Sequence, residues 1–201
     1  MVDSGKREEI QQSLIAKAQA LIDDCESMPL VLEDASQERR VYMEWKGDQP
    51  FMVHFLGVDG VMPTDYVSWF GNYLPNLRAI APSNVEYTEV QPDGGKFCFH
   101  MKLKPGVPLV YNRSLINTAY QTQVDDTHYF ITSSEGNESL VETYADQIGS
   151  DVIASLTINA IIMKPKLDSC GELCGTELIQ VYSMNPNGSL PSMVTDKLMA
   201  K

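Results

Sequence analysis

The apolar positions of the first segment recur at helical spacing. Ile10, Leu14, Ala18, Leu21 and Ile22 fall on one face of a helix over residues 4–25, which Ser4 can cap and Pro29 closes. The period then changes. "RRVYMEWK" (39–46) and "FMVHFLGV" (51–58) are β-rich runs joined by "GDQP", a hairpin turn. Pro63, Thr64 and Asp65 suit a first helical turn, where proline needs no N–H and an acid meets the positive end of the dipole. Val67, Phe70 and Leu74 form the stripe of that helix. "PNLRAIAPSN" reads as a loop, "VEYTEV" (85–90) as a strand and "PDGG" (92–95) as a turn. "KFCFHMKLK" (96–104) alternates cleanly, with Phe97, Phe99, Met101 and Leu103 on one side and Cys98, His100 and Lys102 on the other. That pattern belongs to an antiparallel strand between two different environments. A proline-rich loop, "PGVPL" (105–109), precedes a hairpin made by 113–123 and 128–134. Residues 137–148 read as a short helix, with Asn137 as cap and Leu140, Val141, Tyr144 and Ile148 as stripe. Two last strands, 152–165 and 176–184, flank a loop with Cys170 and Cys174, and a final helix starts near Pro191.

Eight or nine strands, mostly hairpin-linked, with helices at the start, after the early strands and at the end, give no regular strand–helix alternation. A parallel α/β fold is therefore disfavoured. Repeats, low-complexity tracts and linkers are absent from the sequence. The expectation is one α+β domain over residues 1–201, built on a single curved antiparallel sheet whose concave face is covered by the C-terminal helix.

Charge narrows the partners. Fifteen basic against 27 acidic residues give a net charge of −12. Constitutive binding to nucleic acid or to an anionic membrane needs basic patches, so nucleic acid is not an expected partner, while brief membrane contact through a small apolar surface stays open. The opening "MVDSGKREEIQQ" is polar and lacks the apolar core of a signal peptide. The longest apolar stretch, near Ile153 to Met163, is broken by Ser155, Thr157 and Asn159 and falls short of a span. A cytoplasmic monomer is expected. Cys25, Cys98, Cys170 and Cys174 are then free thiols, and a zinc site would lack ligands. The three Asn-X-Ser sequons are chance matches.

No phosphate loop, dinucleotide fingerprint, nucleophile elbow or zinc-protease motif occurs; His54, His100 and His128 lie in or beside strands, and His54 and His100, which alternate with apolar neighbours, read as structural or surface histidines. No catalytic residue, metal ligand or cofactor is assigned. What the chain does carry is polar side chains inside apolar strands: Asn117, Tyr120 and Thr122 in one, Ser155, Thr157 and Asn159 in another. Unpaired buried polar groups cost about 1–3 kcal/mol each, so such strands face solvent or line a cavity. Alternation alone leaves open which residues do which.

The order of elements resembles the START (StAR-related lipid-transfer) domain, a helix-grip fold of the Bet v 1-like superfamily. "GVDGVMPTDYVSWFGNYL" resembles the segment where a strand ends and a proline-led helix follows. "VPLVYNRSLINTAYQ" resembles the proline-containing loop before an arginine and a long strand, with Arg113 in the arginine's place. "DVIASLTINAIIMKPKLDSCGELCGTELIQVYSMNPNGSLPSMVTDKL" resembles the paired strands and the "D-x-x-G-x-[LI]-P" entry to the last helix; Asn185 stands for the Asp, and Gly188, Leu190 and Pro191 match. Three features depart from the pattern. The tryptophan and aspartate that often follow the second helix are absent, and "RAIAPSNV" stands there. Residues 137–148 read helical where the family has a loop, and the last helix, Pro191 to Lys201, is short, which implies a partial lid.

The resemblance implies a carrier that binds a single lipid (sterol, phospholipid or sphingolipid) in an internal hydrophobic cavity and moves it between membranes. The apolar wall would include Phe97, Phe99, Met101, Leu115, Phe130, Met163, Met184, Met193, Val194 and Leu198. Arg113, Asn117, Tyr120, Ser155, Thr157 and Asn159 would meet a head group. The gate would be Gly106, Val107, Pro108 and Leu109 with the lid segment that begins at Gly188 and Pro191. Two rivals share the fold: a cyclase/aromatase-like enzyme, which would need inward acid–base residues such as His100, His54 or an Arg–Asp pair, and a lipid sensor that does not transport.

Overall fold

The computed structural model describes residues 4–90, 97–106 and 110–188. The chain runs α1 (Ser4–Asp23), β1 (Leu30–Asp34), β2 (Arg39–Lys46), β3 (Gln49–Asp59), α2 (Pro63–Gly71), α3 (Tyr73–Ile80), β4 (Val85–Glu89) and β5 (Phe97–Leu103). It continues with β6 (Arg113–Val124), β7 (Thr127–Ser133), α4 (Glu138–Thr143), α5 (Ala145–Ile148), β8 (Val152–Ile153), β9 (Ser155–Leu167) and β10 (Leu173–Asn185). The strands form one curved ten-stranded sheet in the order β1-β2-β3-β10-β9-β7-β6-β5-β4, and β8 adds beside β6. Every pairing is antiparallel except β8 with β6. The α+β architecture with an N-terminal helix is the expected one. The C-terminal helix expected from Pro191 lies outside the described residues.

Several local readings change. Residues 75–80 belong to α3 instead of a loop, because Pro75 sits in the first turn, where backbone N–H groups have no intrahelical partner to lose. The break at Asn72 is bridged by Asn76, whose Nδ2 donates to Trp69 O at 2.7 Å. α2 starts as expected: Pro63 leads, and Asp65 Oδ2 accepts the Met62 N–H at 2.9 Å. Asn137 precedes α4 but makes no side-chain cap. Its Nδ2 donates instead to Ile116 O at 3.0 Å, and its Oδ1 accepts from Thr118 Oγ1 at 2.9 Å, so it fastens the helix to β6. β1 was not anticipated, and β10 begins early enough to include Cys174.

The sheet has two distinct faces. On one, α1 lays Leu14 and Ala18 onto Val53, Ile131, Ile158, Ala160, Ile162, Ile179 and Val181. At the β5–β6 end of the same face, Ile148 with Leu140, Val141 and Tyr144 covers Cys98 and Ile116. The opposite face carries α2 and α3 at one end. There Phe70, Tyr73 and Leu74 pack on Phe99, Ala119, Phe130 and Met163.

A bulge decides which β9 side chains reach which face. Ile158 is paired with Ser183, but Met184 is paired with Leu156, so Thr157 is the extra residue. Beyond it, Ile158, Ala160 and Ile162 point at α1; before it, Ala154 and Leu156 point the other way, packing with Leu115 and Met184.

Candidate ligand-binding cavity

On the face opposite α1, beside the α2–α3 pair, lies a cavity of about 910 Å³. That volume is near the upper end of what small-molecule sites occupy. Its walls come from alternate residues of seven central and flanking strands: Val41, Met43 and Trp45 on β2, Met52 and His54 on β3, and Gln180, Tyr182 and Met184 on β10. Leu156 and Asn159 on β9, Thr132 on β7, Asn117 on β6, and Phe99, Met101 and Leu103 on β5 complete the floor. Tyr73 reaches in from α3 and Tyr87 from β4.

One end is closed by aromatic packing. Phe70 stacks on Phe130 with centroids 4.2 Å apart and planes 15° from parallel, and Tyr73 sits 4.3 Å from Phe130 and 5.7 Å from Phe99. Burial raises the Tyr73 phenol well above its ordinary value, and burial pushes Tyr182 up to about 12, so both stay protonated. Tyr182 donates its O–H to Met184 Sδ at 3.4 Å.

The floor is apolar except for a belt that crosses the strands. Thr132 is paired directly with Asn159, and Gln180 directly with His54. Gln180 Nε2 donates to Asn159 Oδ1 at 3.0 Å, and Arg39 Nε donates to His54 Nε2 at 3.0 Å. Burial, and then the Arg39 guanidinium, hold His54 below the ordinary imidazole range, which suits a ring nitrogen that accepts. Asn117 extends the belt onto β6. The opposite flank opens outward: Val31, Leu32 and Trp45 line the cavity and are also exposed.

Of the residues singled out in the sequence, Phe99, Met101, Asn117, Asn159 and Met184 meet in this cavity. Phe130 and Met163 lie on the same face, packed under α2 and α3, and Leu115 packs beside Leu156 and Met184. The Phe97 backbone pairs with Ala119, and its side chain is outside the described ones. Tyr120 is on the other face, in the α1 core with the Arg7 guanidinium 5.3 Å from its ring centroid. The bulge also turns Thr157 away: it accepts from Gln49 Nε2 at 3.0 Å, beside Ser183, and Ser155 shares its parity. Arg113 is buried at the start of β6, where Nε reaches Pro186 O at 3.4 Å and Nη1 donates to Tyr111 O. Gly106 and Gly188 are described, both at positive φ; Val107, Pro108, Leu109, Pro191, Met193, Val194 and Leu198 lie outside the described residues. Gln180 and Tyr182 were not anticipated, although they alternate with Met184 in "QVYSM". Thr132, His54 and Arg39 join the belt only through cross-strand register.

His100 points to the face away from the cavity. Its Nε2 lies 2.9 Å from Ser114 Oγ, and Ser114 donates to Asp151 Oδ2 at 2.7 Å, with Lys102 Nζ 2.8 Å from the same oxygen. The carboxylate engages the serine and not the histidine, so the histidine has no acid to orient it as a base. Among the described residues no cluster of His, Cys, Asp or Glu could hold a metal ion, and no helix is long and apolar enough to cross a membrane.

No family model matches the chain, and no curated protein matches it by sequence. Solved structures do match in fold. Human StAR-related lipid transfer protein 5 superposes with a TM-score of 0.71 at 12% identity, over 98% of this chain and 91% of that one. Human STARD10 gives 0.62 at 14% identity, over 90% and 71%. A STAR-related lipid transfer protein from Xanthomonas axonopodis gives 0.55 at 14%, over 85% and 88%. Sheet order, the helix at the N-terminus and the cavity face thus carry one conclusion: this chain has the α+β fold of the StAR-related lipid-transfer domains.

Proposed function

We propose that residues 1–201 form a single cytoplasmic domain that holds one lipid in the cavity and carries it between membranes, without catalysing a reaction. The observation that carries this reading is the cavity itself, about 910 Å³ lined by Met43, Met52, Met101, Met184, Leu156 and Phe99 around a narrow polar belt. A lipid chain in water costs about 0.8 kcal/mol for each exposed CH₂, and an apolar wall of this size replaces that contact. Flexible methionines let the wall adapt to chains of different shape. The neighbouring folds named as lipid transfer proteins, from human and from Xanthomonas axonopodis, support the same use of the cavity.

Entry is proposed at the open flank. Val31, Leu32 and Trp45 present apolar surface there, suited to brief contact with a membrane interface. The proposed gate segments are rooted at Gly106 and Gly188, and Arg113 supports it by holding the Tyr111 and Pro186 carbonyls, one beside each root. The test is to strip the protein of lipid, incubate it with a lipid extract, repurify it and weigh it by native mass spectrometry. One lipid per chain is expected, followed by movement of that lipid between labelled vesicles. Absence of any retained lipid overturns the carrier, and retention without transfer turns the reading toward a sensor.

A further inference from the structure

One polar group on the cavity floor is left without a partner. Asn117 is fully buried and lines the cavity. Its Oδ1 accepts from Ser134 Oγ at 2.8 Å. Ser134 Oγ in turn accepts the Leu156 N–H at 2.9 Å, and among the described residues Asn117 Oδ1 is the one acceptor for its own proton, which sets which way the amide faces. That leaves Nδ2 with no hydrogen-bond partner among the described residues. A buried donor in this state is destabilising, and a dry wall would place Leu there.

The rest of the belt is satisfied internally. Gln180 serves Asn159, Arg39 serves His54, and Tyr182 serves Met184. Among the described residues, charge is remote from Asn117. Arg39 lies on β2, separated from β6 by β3, β10, β9 and β7, which at about 4.8 Å per strand is roughly 20 Å or more along the sheet. Arg113 begins the same strand, about 13 Å away, and is engaged by two backbone carbonyls. A carboxylate or phosphate brought to Asn117 would be desolvated with no cation beside it.

We infer that Asn117 Nδ2 is the polar anchor of the cavity, and that the preferred ligand carries an uncharged hydrogen-bond acceptor, a hydroxyl, ketone or ester oxygen, on an otherwise apolar body. This rests on the cavity being a lipid site. The donor without a partner then serves as the recognition element: the right oxygen satisfies it, and a hydrocarbon leaves it bare.

The experiment uses four chain-matched pyrene probes: a hydrocarbon, an alcohol, a methyl ester and a carboxylate. Binding is read by energy transfer from tryptophan, since Trp45 lines the cavity. Asn117→Leu keeps the volume and removes the donor. The expected result is a loss of about tenfold in alcohol and ester affinity, with the hydrocarbon bound as well as before or better. Hydrocarbon binding also reports that the variant cavity is intact. A second readout needs no variant: the ester carbonyl stretch of the probe bound to the wild-type chain should fall below its value in alkane. If no probe binds, the lipid-site reading fails and the anchor with it. If the hydrocarbon binds but the carbonyl stretch matches that in alkane, or Asn117→Leu weakens no probe, the anchor is wrong and the lipid site stands. A carboxylate that binds tightest overturns the preference for an uncharged group.

Discussion

Phe70→Ala should detach the end cap of the cavity while leaving the sheet in place. Phe70 is only 4% exposed and stacks face-on against Phe130, with Trp69 and Tyr73 at its edges. Truncation removes the burial of one aromatic ring and opens a void that Phe130, held in β7, cannot fill. A Phe→Ala change at such a site costs about 3–5 kcal/mol, the stacking included. For a chain of this length that is roughly 6–20 °C in Tm. The loss should be local. The buried side chains that α2 and α3 set into the cluster beneath them are Phe70, Tyr73 and Leu74, whereas the α1 core on the other face contains none of them. Hydrogen exchange should therefore accelerate in 63–80 far more than in β3, β9 and β10, and bound lipid should be lost at a temperature where the sheet is still folded. A stability loss under about 1 kcal/mol, or uniform acceleration across sheet and helices, would refute the view that this ring stack closes the cavity.

Other outcomes follow from single contacts. Burial pushes the Asp151 carboxyl up, but hydrogen bonds from Lys102, Ser114 and Asn112 outweigh it and hold the group below its ordinary value of 3.8. His100 is held below 6.5, first by burial and then by Lys102. Both groups bind fewer protons folded than unfolded, so stability rises with pH: the His100 contribution is complete above 6.5 and is lost as pH falls through its folded value, and the Asp151 contribution is complete above 3.8 and is lost below it. Asp151→Asn should cost about 1–3 kcal/mol at neutral pH and remove the lower of the two acid steps in a denaturation series. Arg113→Met keeps the stem and drops the guanidinium, so it should speed lipid transfer between vesicles; an unchanged rate would separate Arg113 from the gate. Gly188 sits at φ 113°, and among the described residues only Arg113 Nη2, at 4.0 Å, lies near the place of a Cβ. Gly188→Ala should then cost about 1–3 kcal/mol through backbone strain and not through a clash, measurable by urea denaturation, and a loss under about 0.5 kcal/mol would show that the turn can relax.

How far the sequence could be read depended on whether a strand kept its period. In β5 the alternation is unbroken, and Phe99, Met101 and Leu103 reach the cavity while Cys98 and His100 face away, as the pattern implies. In β9 the resemblance put Ser155, Thr157 and Asn159 together as residues that meet a head group, and unbroken alternation would place all three on one face. The bulge at Thr157 separates them, since one extra residue reverses every side chain that follows. Nothing local marks that bulge: Thr157 is an ordinary strand former, and the slip is set by pairing with Met184 and Ser183. The α2–α3 pair was half legible. The start at Pro63 carries its own signals, whereas Pro75 looks like a breaker unless its place in a first turn is known. The polar belt lay furthest from view. Arg39, His54, Gln180, Asn159 and Thr132 come from five strands, and only register makes them neighbours.

The division between the two faces has a functional consequence. Strands β3, β7, β9 and β10 each contribute to both, giving α1 the stiff aliphatic residues Val53, Ile131, Ile158, Ile162, Ile179 and Val181, all essentially without exposure. The same strands give the cavity His54, Thr132, Asn159, Gln180, Met52 and Met184. Close packing on the α1 face holds the register, because shifting any of these strands by one residue would drive polar side chains into a dry core. With register secured from behind, the cavity face can tolerate amides, a histidine and flexible thioethers whose own packing would not specify a unique sheet. Substitutions that resize the cavity, such as Met52→Leu or Met184→Leu, should therefore alter ligand preference at a cost under about 1.5 kcal/mol, whereas Ile179→Ala on the opposite side of the same strand should cost about 2–5 kcal/mol. Equal costs on the two faces, measured by denaturation of the lipid-free chain, would mean that cavity and core are one packing unit and that the sheet does not insulate them.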